Sequence, residues 1–414
     1  MKKIIIILLG LALAIPSFAD TVSENKATDA AAAFFNKGVA TRSAVKPFLV
    51  WTGGNGTRAP YAPPFYVFNN PNGGWVVISG EDSGRAILAW SDKGLFDPND
   101  MAESTAAWFD EYANQINWAR ARQLTPSDAS LKEWSDLLEG RIRRTPTPVK
   151  ELGLATWNQG SPYNQNCPRI SDGVVSYSEG TRTKTGCVAT ATAIVMRYYR
   201  HPAKGTGTVG GYASYIDSSD IKPSPVAPTV DLDADMDGYD WANMPLDSPS
   251  GWNSTQKEAV AKLMFHIGLA VEMEYGTKSS GSFQRKIHRA LLEHFDYDPS
   301  MRIYSRGECN QSAWLELFKS ELDANRPVII AGRKSNGDGG HEFIAEGYDS
   351  EDNIRINWGW GGSQNGYFAL TYFKTSAQDA SGSDYRYSQT ILTGIQPNAS
   401  GQELYSIGLH FQEQ

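Results

Sequence analysis

Hydrophobic positions along the 414-residue chain change their spacing twice. PFYVFN (64–69), GWVVISG (74–80) and RAILAWS (85–91) are short runs of β-branched and aromatic residues closed off by Gly, Pro and Asn, the pattern of an antiparallel meander. From 101 to 122 the spacing lengthens. There Ala107, Trp108, Tyr112, Gln115, Ile116 and Ala119 fall on one helical face, with Glu103 early and Arg120 and Arg122 late, as a helix dipole favours. Further helices are expected at 186–200, at 254–272 with Ser254 as cap, at 281–295 and at 311–325. Strand spacing then returns in RPVIIAGR (326–333), HEFIAEGY (341–348), NIRINW (353–358) and GYFAL (366–370). Helices followed by an antiparallel sheet describe an α+β domain with two lobes, preceded by a small β-plus-helix module.

The first residues, MKKIIIILLGLALAIPSFAD, join Lys2 and Lys3 to an apolar run and then to Ser17, Phe18 and Ala19. This is the pattern of a secretory signal peptide cut between Ala19 and Asp20; the run stops at Pro16, short of the roughly 20 residues a membrane span needs. No later segment is apolar enough to cross a bilayer, so membrane insertion is not expected and the product is placed outside the cell or in a periplasm. A basic, proline-marked stretch, RIRRTPTPVK (141–150), reads as an exposed connector. The expected boundaries are therefore a leader over 1–19, a module over 20–144 with a cut near Arg144, and a domain over 145–414. Losing Lys2 and Lys3 takes the formal net charge from −8 to −10, which disfavours nucleic acid as a partner. Three cysteines, Cys167, Cys187 and Cys309, are too few and too odd for a disulfide framework.

Cys187 opens the apolar run of RTKTGCVATATAIVMRYY (182–199). A helix N-terminus stabilises a thiolate through its unpaired N–H groups and the positive end of its dipole. Position alone leaves a nucleophile and a buried structural thiol equally open. A nucleophilic thiol needs a base, and His341 stands apart from the other five histidines: it opens an apolar-alternating strand directly after GDGG (337–340). One strand later come Asn357 and Trp358, followed by GWGG (359–362). In a hairpin Asn357 would return beside His341, accept the imidazole N–H and aim the ring at the sulfur, with the indole shielding that bond. Upstream, Gln159 could join the Cys187 N–H as a donor to a developing oxyanion.

In the order Gln159, Cys187, His341, Asn357 the polar groups match Cys-His-Asn hydrolases. The stretches WNQGSPYN, GCVATATAIVMRYYRHP, GGHEFIAEGYDS and NWGWGGSQNGYFAL resemble the streptopain–interpain family of secreted papain-like cysteine endopeptidases, and residues 74–122 are similar to that family's inhibitory propeptide. The resemblance implies a papain-like two-lobed fold and a zymogen whose own propeptide covers the cleft. It makes Cys187 the nucleophile, His341 the general base and acid, Asn357 the orienting residue, Trp358 the shield and Gln159 the oxyanion donor. Gly186, Gly340, Gly359 and Trp360 would line the substrate cleft. Substrates would be proteins or peptides, with a bulky apolar residue favoured just before the scissile-bond residue, and no cofactor would be needed. Cys167 and Cys309 depart from the pattern; they either pair or stay as thiols, and unpaired thiols are the expectation.

Competing signals are weaker. DLDADMDGYD (231–240) has the Asp233, Asp235, Asp237, Gly238 spacing of a calcium loop, but the position for its closing carboxylate is Met244, so a solvated acidic loop is expected. The chain has no His-x-x-x-His or Cys-x-x-Cys pair for zinc. Transglutaminases and cell-wall amidases use the same Cys-His-Asn logic, and a catalytically dead binding homologue is a third class. The intact constellation argues against the last, and the propeptide-like module favours an endopeptidase.

Overall fold

The computed structural model describes residues 19–36, 44–53, 62–139, 146–333, 340–373 and 389–399. The leader before Ala19, the arginine-rich part of the connector with Arg144, and the chain after 399 lie outside the described residues. In the N-terminal module α1 (Glu24–Asn36) precedes the meander β1 (Phe48–Thr52), β2 (Phe65–Asn69), β3 (Trp75–Ser79) and β4 (Ile87–Ser91), and α2 (Glu103–Ala121) and α3 (Asp128–Leu138) follow. Strands β2, β3 and β4 are buried at every position because both faces are covered. On one face α1 sets Ala27, Ala30, Ala31 and Phe34 against Tyr66, Phe68, Val76 and Ile78. On the other, α2 sets Trp108 and Phe109 against Phe65, Val67, Trp75 and Val77. Removing such apolar surface from water stabilises the module by about 25 cal/mol per Å².

The rest of the chain begins with β5 (Pro148–Glu151) and a small sheet of β6 (Arg169–Ser171), β7 (Val174–Ser176) and β8 (Thr181–Arg182). Then come α4 (Cys187–Tyr199), the ribbon of β9 (Thr208–Gly210) and β10 (Thr229–Asp231), α5 (Ser254–Ala270) and α6 (Gln284–His294). The final elements are β11 (Arg302–Ser305), α7 (Gln311–Asp323), β12 (Val328–Arg333), β13 (Gly340–Asp349), β14 (Ile354–Asn357), β15 (Gly366–Phe368) and β16 (Thr390–Thr393). Helix α4 is buried from Cys187 to Arg197 and forms the centre of the helical lobe, where small residues such as Ala189, Ala191 and Ala193 let its neighbours approach. The cap of α5 is Asn253, one residue before Ser254, in a reciprocal capping box with Gln256.

The meander and the C-terminal strands form one sheet. Its order is β1-β2-β3-β4-β15-β14-β13-β12-β16-β11, with β5 also pairing β13, eleven strands among the described residues. The join is antiparallel between β4 and β15, with Trp90 opposite Tyr367 and Ala89 opposite Phe368. The Trp90 and Tyr367 rings stack at 4.5 Å, and the Trp90 indole donates to Asp349 Oδ2 at 2.8 Å.

In the acidic loop at 231–240, an ammonium group stands among the carboxylates. Lys262 Nζ lies 2.7 Å from Asp235 Oδ2 and donates to the Gly238 carbonyl at 2.8 Å, while Asp233 Oδ2 accepts from the Gly207 N–H at 3.0 Å. All three cysteines are free thiols, Cys167 and Cys187 buried and Cys309 half-buried.

Candidate active site

Cys187 is the first residue of α4, and Gly186 before it has φ of 86°. That left-handed backbone favours glycine. A Cβ on Gly186 would also stand 2.7 Å from Met273 Sδ and 2.9 Å from the Ser280 carbonyl, so the turn that presents the sulfur admits no side chain. Thr185, two residues before the sulfur, donates its N–H to the Gln159 carbonyl at 3.1 Å. This brings Gln159, half-buried, to the entrance of the helix.

Burial pushes the Cys187 thiol up to about 12; backbone hydrogen bonding at Glu342 and Val188 opposes that rise, and the negative charge of Glu342 adds to it. The sulfur is thus protonated in this state. The His341 ring has a different hydrogen-bond partner. Imidazole Nε2 lies 2.9 Å from Glu103 Oε2, a carboxylate in the first turn of α2 in the N-terminal module. Among the described residues no hydrogen bond joins His341 to Cys187 or to Asn357.

The hairpin register places Asn357 differently from the expectation. Asn357 pairs with Ile344, and His341 pairs with Gly332 of β12. Because side chains alternate along a strand, His341 shares the face of Phe343 while Asn357 shares that of Ile344, the face packed on the helical lobe. The Asn357 amide is fully buried and committed elsewhere. Its Nδ2 donates to the Ala155 carbonyl at 3.0 Å and to Glu346 Oε2 at 3.3 Å, and its Oδ1 accepts from the Gly359 N–H at 3.1 Å.

Trp358 is buried on the His341 side. Its indole donates to the Gln364 carbonyl at 3.0 Å, and its ring packs on Phe343 at 4.8 Å, Phe368 at 5.1 Å and Trp108 of α2 at 5.9 Å. The glycine loop after it is covered by the same module. Trp360 Nε1 donates to Asp100 Oδ1 at 3.3 Å, and Gln364 Nε2 donates to the Asp97 carbonyl at 3.2 Å. Gly359 takes φ of 66°, and a Cβ there would come 3.3 Å from the Thr190 methyl; Gly340 opens β13 and is exposed. The chain thus brings Gln159, Gly186 and Cys187 to one edge of the site and His341, Trp358 and Trp360 under the N-terminal module.

Glu103 and Trp108 reach the site although sequence reasoning reads them as a dipole charge and a helix-face aromatic, and Asp100 joins them unread. The one signal for Glu103 is an acid at a helix start, and nothing local points it at a histidine 238 residues away. No group of three or more His, Cys, Asp or Glu side chains able to hold a metal ion is present among the described residues.

The chain is similar to known proteins along most of its length. Residues 157–368 match the peptidase C10 family and residues 19–116 match Spi protease inhibitor. Streptopain from Streptococcus pyogenes serotype M1 is 32% identical over 407 residues, covering 94% of this chain and 96% of that protein. The thiol protease/hemagglutinin PrtT of Porphyromonas gingivalis is 28% identical, and the match covers 96% of this chain but 44% of that protein. The structure of Prevotella intermedia prointerpain A superposes with a TM-score of 0.61 at 25% identity, covering 84% of this chain and 98% of that one. With its inhibitor-like N-terminal module joined to a papain-like α+β domain, the chain belongs to the peptidase C10 family and is a cysteine peptidase.

Proposed function

We propose that this chain is the exported precursor of an endopeptidase, with residues 20–144 as its inhibitory propeptide, residues 145–414 as the peptidase, and Cys187 and His341 as the catalytic dyad. The observation that carries the reading is the 2.9 Å bond from His341 to Glu103, made by a helix that also seats Trp108 on Trp358. A peptidase held in check needs its base engaged elsewhere, and this contact occupies the imidazole Nε2 while burial keeps the thiol protonated. Export is supported by the leader pattern; among the described residues no helix is long and apolar enough to cross a membrane.

Once the propeptide leaves, water and the imidazole reach the sulfur. His341 takes the thiol proton, and the thiolate is held by the amides and dipole at the start of α4. The thiolate attacks a peptide carbonyl, and the oxyanion is met by the Cys187 N–H and the Gln159 side-chain amide. The imidazolium then gives its proton to the leaving amine; water, deprotonated by the imidazole, releases the acyl group from sulfur. Trp358 keeps water from the ring. Asn357 acts first as a strut, tying the segment that leads to Gln159 to the glycine loop; its orienting bond requires the ring to swing to the Ile344 face after Glu103 lets go.

Labelled casein tests this reading. Loss of residues 20–144 should release hydrolysis that the thiol alkylator E-64 abolishes, and Cys187→Ala should yield an uncut precursor when maturation is self-driven. A fully processed chain without E-64-sensitive hydrolysis would refute the proposal.

A further inference from the structure

We propose that Trp360 and Ser363 form a subsite for an acidic side chain on the leaving side of the scissile bond, so that this peptidase favours Asp or Glu within three residues after the bond it cuts. The inference rests on the endopeptidase reading above and names a substrate feature which that reading leaves open.

In the precursor these two residues hold a carboxylate. Trp360 Nε1 donates to Asp100 Oδ1 at 3.3 Å, and Ser363 Oγ lies 3.3 Å from Asp100 Oδ2 and equally far from the Asp100 carbonyl. One donor thus faces each oxygen of a group that can only accept. Among the described residues the Trp360 indole N–H and the Ser363 hydroxyl bond to Asp100 alone. Asp100 belongs to the module that the proposed cut removes, so maturation frees both donors.

The peptidase itself fixes the pair. The Ser363 N–H donates to the Trp360 carbonyl at 3.2 Å and closes a turn. Within the same loop the Trp358 N–H donates to Asn365 Oδ1 at 3.0 Å, and the Gly361 N–H donates to the Trp157 carbonyl at 3.0 Å. None of these bonds involves the module, so the turn does not depend on Asp100 for its shape. Residues 357–366, NWGWGGSQNG, carry no charge, so no carboxylate of the loop opposes an arriving acid. At the neighbouring 158–160 turn, the Lys184 ammonium lies 3.8 Å from where a Cβ on Gly160 would stand.

The loop also borders the leaving side. The amine released by cleavage takes its proton from His341, so the residues after the bond run past the imidazole. The loop follows Trp358, whose ring packs on Phe343 at 4.8 Å, on the strand face that His341 shares. A Cβ on Gly361 would meet Asn158 Nδ2, beside Gln159, at 3.3 Å. The module itself marks the reach. Glu103 holds the imidazole and Asp100 holds the loop, and the three residues between them span at most about 10 Å of extended chain. A substrate with its departing nitrogen at the imidazole therefore meets the same donors with one of its next three side chains.

The test uses mature enzyme and internally quenched peptides built on a sequence it cuts in casein, differing only in carrying Asp or the isosteric Asn at each of the three positions after that bond. Mass spectrometry confirms that the same bond is cut, and E-64 titration counts competent sites in each variant. At one position kcat/KM should favour Asp by about 2- to 10-fold, the range for one ordinary hydrogen bond. Trp360→Phe and Ser363→Ala should each lower that ratio, and the double variant should bring it to about one. An Asp-to-Asn ratio of one at all three positions in wild type, or a ratio unchanged in the double variant, would overturn the subsite. Wild-type enzyme that yields no casein fragment would overturn the endopeptidase reading, and the subsite with it.

Discussion

Which contact locks the propeptide in place follows from comparing two substitutions in α2. Glu103 is 67% exposed at its side chain, and an ion pair that open is worth about 0.2–1 kcal/mol. Glu103→Gln should therefore raise the population of precursor with a free imidazole only about 1.4- to 5-fold. Trp108 is buried against Phe343, Trp358 and Phe368, three rings that all belong to the C-terminal domain, at 6.0, 5.9 and 6.1 Å. Truncating a buried Trp to Ala costs about 3–5 kcal/mol, so Trp108→Ala should loosen the module on the order of 10²-fold or more. The aromatic wedge is the lock, and the ion pair sets the direction of the ring. The assay is the initial rate at which E-64 labels Cys187 in uncut precursor, followed by intact mass, with circular dichroism to confirm that each variant is folded. A larger rate increase for Glu103→Gln than for folded Trp108→Ala would refute the reasoning, as would no increase for either.

Further outcomes follow from the same geometry. Gly186→Ala, forced to keep φ of 86° with its Cβ against the Ser280 carbonyl, should destabilise by about 1–3 kcal/mol in chemical denaturation and lower casein turnover; unchanged values would show that the turn relaxes freely. Asn357→Asp should melt below Asn357→Ala, because an oxygen replaces the Nδ2 that donates to Glu346 at 3.3 Å; the gap should narrow as pH falls, since burial already holds the Glu346 carboxyl above its usual range. Equal melting of the two would count against that contact. Calcium should leave the melting temperature of the wild-type protein unchanged because Lys262 already neutralises Asp235, and a calcium-dependent rise would show a real ion site. With the thiol pushed up to about 12, iodoacetamide labelling of Cys187 in the precursor should keep rising through alkaline pH, and a plateau near neutrality would show that the thiolate is already formed.

Much of the machinery can be read locally. Gly186 followed by an apolar run marks the start of α4 to within one residue, and the alternation in 341–348 marks β13. Two helices leave little trace: α1 packs mainly through Ala27, Ala30 and Ala31, too weakly apolar to set a period, and α3 buries only Ser130, Trp134 and Leu137. Pairing between Trp90 and Tyr367 is decided by which edges remain open after each half folds, and no local pattern carries that information. The same holds for Asn357. A sequence shows that it lies one strand from His341, but the partner of a strand residue depends on register, and a shift of one position moves a side chain to the other face.

The strand pairing between module and peptidase is only two residue pairs long, and that shortness bears on what their separation would expose. The departing half takes four strands with it and leaves behind β15, a border of three residues whose Tyr367 phenol is tied to Glu151. Open sheet borders recruit other chains when they are long, flat and apolar, and this one offers a neighbouring copy too few backbone groups to build on. The module keeps the opposite border: β4 is five residues long and apolar but for Ser91, the kind of edge that recruits another strand once it is uncovered.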